Sequence, residues 1–395
     1  MRQSDIRPLN FDAVQQRAWK IGAGGLLLCL LWGVFLNPAQ FFHSYLMAYL
    51  FWLGIALGGL AIIMLHHLVG GAWGSMIQRI LEAATRTLPL MALLFIPFLF
   101  GLRHLYIWAR PDVIASDVIL QHKSWYLNVP FFVLRTVFYF LVWLVMAHYL
   151  NHWSQQHEVL HGQPVQLAFR RRLRLLSAPG LGIYALTMTF AAIDWVMSLE
   201  PHWYSTIYGV LFIVSQALVA LTFATVSIAL LARTEPIASV ATPARMHDLG
   251  NLLLAFIMLW AYVSFSQFLI IWSGNLAEEV PWYLHRTRGG WEVMAVFLIL
   301  FHFALPFALL LSRGTKRQVR SLAWVAAAIF CLHLVDLFWL VLPALHPSKF
   351  SIHWMDVVAP IGIGGLWLAV FIHYFTGRSF IPLEDRRLQG AAEHG

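Results

Sequence analysis

Between Asp194 and Tyr208 the chain reads Asp-Trp-Val-Met-Ser-Leu-Glu-Pro-His-Trp-Tyr-Ser-Thr-Ile-Tyr, placing acids, a histidine and aromatic rings between two long apolar runs. An acid such as Asp194, about one turn inside the end of an apolar helix, costs several kcal/mol unless it faces protein or water. Carboxylates and imidazoles at that depth can relay protons, or hydrogen-bond a headgroup that releases protons when oxidised. Glu200, His202, Tyr204, Gln267, Asn275, Glu278, Glu279, Asp336 and Asp356 belong to the same side of neighbouring apolar runs and extend this set. Loop position makes Glu200, Glu278 and Glu279 solvated acids first, and Trp203, Tyr204 and Trp282 interfacial aromatics. For Asp194, Gln267 and Asp336, set in apolar helix, function is the stronger reading.

Arg135 is the one arginine set more than a turn inside an apolar run. It is expected to pair with an acid of this region or to snorkel outward at a span end. On the opposite side, His66 and His67 precede Gly70-Gly71, then Arg79, Glu82 and Arg86, with His148 and Asp248 at similar depth. These residues could form the inner end of a proton path, although an ordinary charged helix end is the plainer reading. Haem ligation needs axial histidines on facing helices. The pairs thirteen residues apart, His148 with His161 and His333 with His346, each put one partner in a loop. Cys29 and Cys331 lie in separate apolar runs and offer neither a disulfide framework nor a paired-thiolate metal site.

The elements that must position these residues follow from composition. Hydrophobic residues make up 60% of the 395 and charged residues only 11%, against roughly 25% charged in soluble domains. The expected fold class is an all-α polytopic membrane protein. Ten apolar runs approach the roughly 20 residues needed to cross a bilayer: 21–36, 42–69, 83–102, 129–150, 178–198, 206–232, 249–272, 291–312, 321–343 and 355–376. Residues 1–20 and 377–395 read as tails around a single transmembrane domain, 21–376. Of the 26 Lys and Arg, 19 fall on the side of both tails, which predicts cytoplasmic termini. The net charge of +8 therefore reflects loop anchors such as Arg170-Arg171-Arg172, and not nucleic-acid binding.

A parallel repeat is visible. Trp32, Leu36 and Pro38 match Trp195, Leu199 and Pro201, and Ser44, Leu50, Phe51, Ala56, Leu57 and Leu60 align with Ser205, Leu211, Phe212, Ala217, Leu218 and Leu221. The spacing from Asp194 to Pro201 recurs from Asp336 to Pro343. Two four-helix bundles, spans 2–5 and 6–9, with spans 1 and 10 outside them, would account for this.

Asp194-Trp195, Ser198 to Gly209, His247-Asp-Leu-Gly250, Trp260-Ala-Tyr262, Phe265-Ser-Gln-Phe268, Ile271-Trp272, Asn275-Leu276, Glu278-Glu279, Pro281-Trp-Tyr283 and Tyr126-Leu-Asn128 are spread over the middle of the chain, from Tyr126 to Tyr283. As a set they resemble the NrfD-like membrane subunits, and within them the ActF type of bacterial alternative complex III. That resemblance implies two four-helix bundles in the bacterial inner membrane. It also implies a place in a quinol:cytochrome c or quinol:oxidase oxidoreductase, with menaquinol or ubiquinol as substrate and a proton-conducting or anchoring role for this subunit. The implied partners are a paralogous NrfD-like subunit, an iron-sulfur/molybdopterin-like subunit, multihaem and monohaem cytochrome c subunits and a terminal oxidase. Iron-sulfur clusters and haem c would reside in those partners. On this reading Asp194, Gln267 and Asp336, with Glu200 and Glu279, form one outward-opening cavity. A secondary transporter, which also suits parallel repeats and buried acids, and a purely structural anchor are the alternatives.

Overall fold

The computed structural model describes residues 10–159, 163–232, 237–346 and 349–377. Arg233 and the outer parts of both expected tails, 1–9 and 378–395, lie outside the described residues, as does His161. The described chain is helical, without a strand. The principal helices are α1 Phe11–Phe35, α2 Pro38–Val69, α3 Ala72–Thr85, α4 Leu88–Leu105, α5 Val129–Val159, α6 Gln163–Trp195, α7 Tyr208–Leu231, α8 Pro243–Gly274, α9 Val280–Arg286, α10 Trp291–Phe297, α11 Leu305–Leu311, α12 Val319–Leu345 and α13 Met355–Thr376.

Helix ends follow local chemistry. The Asn37 side chain accepts from the Gln40 N–H and Pro38 takes the first helical position of α2, where no N–H is needed. Thr242 and Pro243 open α8 in the same way, and Asn275 closes it with a left-handed φ of 46°. Between α3 and α4 the chain breaks at Arg86-Thr87, just before Pro89, whose ring and missing N–H disfavour a continuous helix. A π-helical stretch, Leu298–Ala304, joins α10 to α11.

Among the described residues, nine helical segments are long and apolar enough to cross a membrane. They correspond to nine of the ten expected spans, so this is a multi-pass membrane protein. The exception is the first. Its apolar part, 21–36, is short, and α1 reaches 25 residues only by running back over the polar stretch from Phe11. It lies along α13 throughout.

Two rings of helices result. α2, α3–α4, α5 and α6 pack around one centre, and α7, α8, α10–α11 and α12 around the other. The halves meet chiefly along α2 and α7, where Gly58 lets the backbone of Gln216 approach directly. Of the sequence repeat, Ser44, Leu50, Phe51, Ala56, Leu57 and Leu60 on α2 and Leu211, Phe212, Ala217, Leu218 and Leu221 on α7 are buried, whereas Trp32 and Leu36 are exposed and Ser205 is half-buried in the loop before α7. Apolar side chains gain nothing by leaving lipid, so such contacts rest on close packing of small residues. The central apolar stretch of α2 is 94% buried, whereas those of α8 and of Trp291–Leu311 are only 28% and 22% buried. α2 is therefore the hub, and the second bundle presents its outer helices to surrounding lipid or protein. α13 packs on α2 and carries α1 outside it.

Candidate functional site

The outer polar residues do not share one cavity. The structure divides them among four places, because the two rings keep separate interiors and the loops between them form their own contacts.

In the first bundle, Asp194 is fully buried and Arg135 nearly so. The guanidinium grips the carboxylate with two bonds, Nε to Oδ2 at 2.8 Å and Nη2 to Oδ1 at 2.9 Å. Tyr139 donates its hydroxyl to the same carboxylate at 2.8 Å. A further Arg135 nitrogen donates to the Tyr126 carbonyl, and the guanidinium lies 3.8 Å from the centre of the Tyr126 ring. Bidentate pairing with aromatic stacking satisfies both charges. The site is closed, and its arrangement is that of a structural clasp between α5 and α6.

At the loop after α6, Glu200 accepts from Arg286 at 2.8 Å and meets His285 at 2.7 Å. Arg286, buried to 1% exposure, also donates to the carbonyls of Trp282 and Leu340 and stacks on Trp282 at 3.7 Å. Burial pulls the Glu200 carboxyl upward, but the Arg286 charge and the bonds from His285 and Arg286 outweigh it and leave it below its ordinary value. His202, half-exposed, meets Asp117 at 2.6 Å. Asp117 caps the short helix that follows it, and the Leu120 N–H leads the contacts that hold its carboxyl below the ordinary value. Asn275 is the exposed cap of α8, Glu278 is exposed, and Glu279 stands at the start of α9.

Asp356 joins a third group. It accepts from Ser44 at 2.6 Å, Gln40 at 3.1 Å and the His353 backbone at 2.8 Å. It thereby fixes the start of α13 to the start of α2, and His43 and His346 pack nearby with ring centres 5.2 Å apart.

The second bundle is different. A cavity of about 540 Å³ lies between α8, α9, the α10–α11 segment and α12, with a mostly apolar lining. That volume falls in the range of small-molecule sites. Phe265, Phe268, Leu298 and Ile299 supply apolar wall, Trp282 and Trp339 frame it, and Asp336, Gln267 and Tyr283 supply the polar groups. Asp336 is buried and accepts from Trp260 Nε1 at 3.2 Å. His333 Nδ1 stands 3.6 Å from the same oxygen, Oδ2, and Oδ1 meets no donor among the described residues. Gln267, also buried, has a side-chain carbonyl with no hydrogen-bond partner among the described residues. Tyr283 lies beside it, and burial raises the phenol above its ordinary value. Behind Asp336, His302 packs edge-on against Trp260 at 4.4 Å and stacks toward His333 at 6.2 Å, with neither ring nitrogen bonded to any described residue. Two buried acceptors and an apolar wall suit an amphipathic molecule with hydroxyl donors.

The inner candidates also separate. Glu82 is buried among Arg79 at 2.8 Å, Gln78 at 2.7 Å and Ser154 at 2.6 Å. His66 packs on Trp73 and His67 lies beside it, while His148 stacks with His152 on the lipid-facing side of α5. Asp248 is exposed on α8 beside His247 and meets none of them.

Sequence reasoning left Arg286 and His302 out of the site and weighed His333 only as a haem ligand. A signal existed for Arg286 in Trp282 one turn earlier, since an aromatic at that spacing can carry a guanidinium. No pattern in the chain marks His302 as facing Asp336. Searches against protein-family models find none that matches this chain, and no curated protein sequence matches it.

Proposed function

We propose that this chain is an integral membrane subunit of a quinol-oxidising respiratory complex of the alternative complex III type, and that the second-bundle cavity receives the headgroup of menaquinol or ubiquinol. The observation that carries this reading is the 540 Å³ cavity with buried Asp336 and the unbonded carbonyl of Gln267 at its wall. A quinol presents two hydroxyl donors on a ring with an apolar tail. Asp336 and Gln267 both accept, and the aromatic wall takes the ring. Oxidation of the quinol to the quinone releases two protons and two electrons. Asp336 takes one proton, with His333 positioned behind it, the second passes to water at the mouth of the cavity, and the two electrons leave to redox groups carried by partner subunits. The resemblance assigns those partners: a paralogous NrfD-like subunit, an iron-sulfur/molybdopterin-like subunit and cytochrome c subunits. The excess of Lys and Arg on the side of the tails supports an inner-membrane location with cytoplasmic termini.

Asp336→Asn and Gln267→Ala in the purified complex test the reading. Assembly should be retained while quinol oxidation by Asp336→Asn falls about a hundredfold, the scale of a lost general base. Unchanged turnover in both assembled variants would leave the chain a structural anchor. Solute transport by the isolated chain, without redox subunits, would favour the transporter reading.

A further inference from the structure

On the arginine-rich face, where the chain breaks between α3 and α4, a second cavity of about 250 Å³ opens between α4, α5 and α13. Arg86, His148, His152 and Tyr374 form its polar wall, and Leu144 and Ala147 its apolar floor. Neither cavity shares a residue with the other.

Depth can be counted along three helices. Arg86, His148 and Tyr374 each stand about 19 residues, roughly 28 Å, from the opposite helix ends at Leu105, Val129 and Met355. A hydrocarbon core is about 30 Å thick. The polar wall therefore sits where acyl chains give way to headgroups. Below it, toward the bilayer centre, α4 exposes Leu93 and Ile96 and α5 exposes Leu141 and Val145.

Charge points the same way. Glu82, the nearest acid, is held by Arg79, Gln78 and Ser154. Arg86 instead spends its Nε on the neutral Asn151 at 3.0 Å and lies 5.5 Å from the Tyr374 ring centre. Asn151 is itself held by Thr85 and by its own helix. The guanidinium is thus oriented by a polar scaffold, and among the described residues no acid forms an ion pair with it, Glu82 being held by its own partners. Each exposed imidazole of the His148–His152 stack adds at least one N–H. A basic pocket between helices at this depth suits a phosphate on a lipid headgroup.

We propose that this cavity binds a phosphate-bearing anion, the headgroup phosphate of an acidic phospholipid, with Arg86 as its principal ligand and the acyl chains lying along α4 and α5. Native mass spectrometry of the detergent-solubilised full chain tests this, titrated separately with dioleoyl phosphatidylglycerol, dioleoyl phosphatidylcholine and inorganic phosphate. Phosphatidylglycerol should bind at least about tenfold more tightly than phosphatidylcholine, and Arg86→Gln should remove about that factor. The exposed pair His148→Ala/His152→Ala, which leaves the Arg86–Asn151 scaffold intact, should weaken phosphatidylglycerol binding severalfold. Arg172→Gln, exposed on α6, should leave it unchanged. Equal binding of the two lipids, or loss in Arg172→Gln as large as in Arg86→Gln, would overturn the site. Arg86-dependent binding of inorganic phosphate with no preference for phosphatidylglycerol would overturn the lipid as its source.

Discussion

Arg135 and Asp194 show what a single residue can be asked to do in an apolar interior. Each charge is tolerable because the other is there, and removing one partner of a buried pair costs about 3–5 kcal/mol. Asp194→Asn should therefore lower the thermal unfolding midpoint of the purified protein by several degrees, and Arg135→Gln added to it should recover part of the loss. A double variant no better than the single one would mean that Asp194 matters for something other than its partner. Glu200 makes a pH prediction. Its carboxyl lies below the ordinary value of 4.5 in the folded protein, so its contribution is fully present above 4.5 and is lost as pH falls through the lower folded value. Thermal stability should drop on that acid side, and Glu200→Gln should flatten the drop; an identical acid limb in the variant would count against the Arg286 contact as its cause. That Arg135 would find an acid was legible in the sequence, since an unpaired arginine there is costly. The expected bundles already put Arg135 with Asp194 and Gln267 with Asp336. What was not legible is that Arg135 and Asp194 close on each other instead of opening to a cavity shared with Gln267 and Asp336, because only side-chain packing shows a pair to be sealed.

Among the elements, α2 and α7 decide whether the halves hold together. A side chain at Gly58 would run into the backbone carbonyl of Gln216, which has no freedom to yield inside a helix. Gly58→Val should destabilise the protein by about 1–3 kcal/mol, whereas Gly24→Val, at a glycine with open space around it, should be nearly neutral in the same thermal measurement. Equal effects would remove the close approach as the organising contact. Most spans were legible from their apolar length, and the two-ring arrangement from the echo between the starts of α2 and α7. The break at Arg86-Thr87 and the π-helical stretch were not, for both arise from how a continuous apolar run meets its neighbours and neither changes its mean hydropathy.

In the whole molecule, stability should be graded from the hub outward. α1 touches α13 along glycines: a Cβ at Gly22 would meet the backbone of Leu366, and one at Gly365 the backbone of Ala18 and Gly22. Gly365→Leu should loosen α1 while the bundles stay folded. Limited trypsin digestion should then cut at Arg17 and Lys20 far faster than in the unaltered protein, with the remaining chain resistant. Rapid digestion throughout would show that α1 is part of the core and no appendage. The π-helical stretch Leu298–Ala304 carries one more consequence at this scale. A wide turn amounts to one extra residue in an otherwise regular helix, and one residue is worth about 100° of rotation. It acts as a phase shifter: α10 can show Trp291 to the loop-capped end of the bundle while His302, within the wide turn itself, faces Trp260. Deleting a single residue there would leave composition and length almost untouched, yet it would turn α11 relative to α10 and swing the imidazole out of line with Asp336.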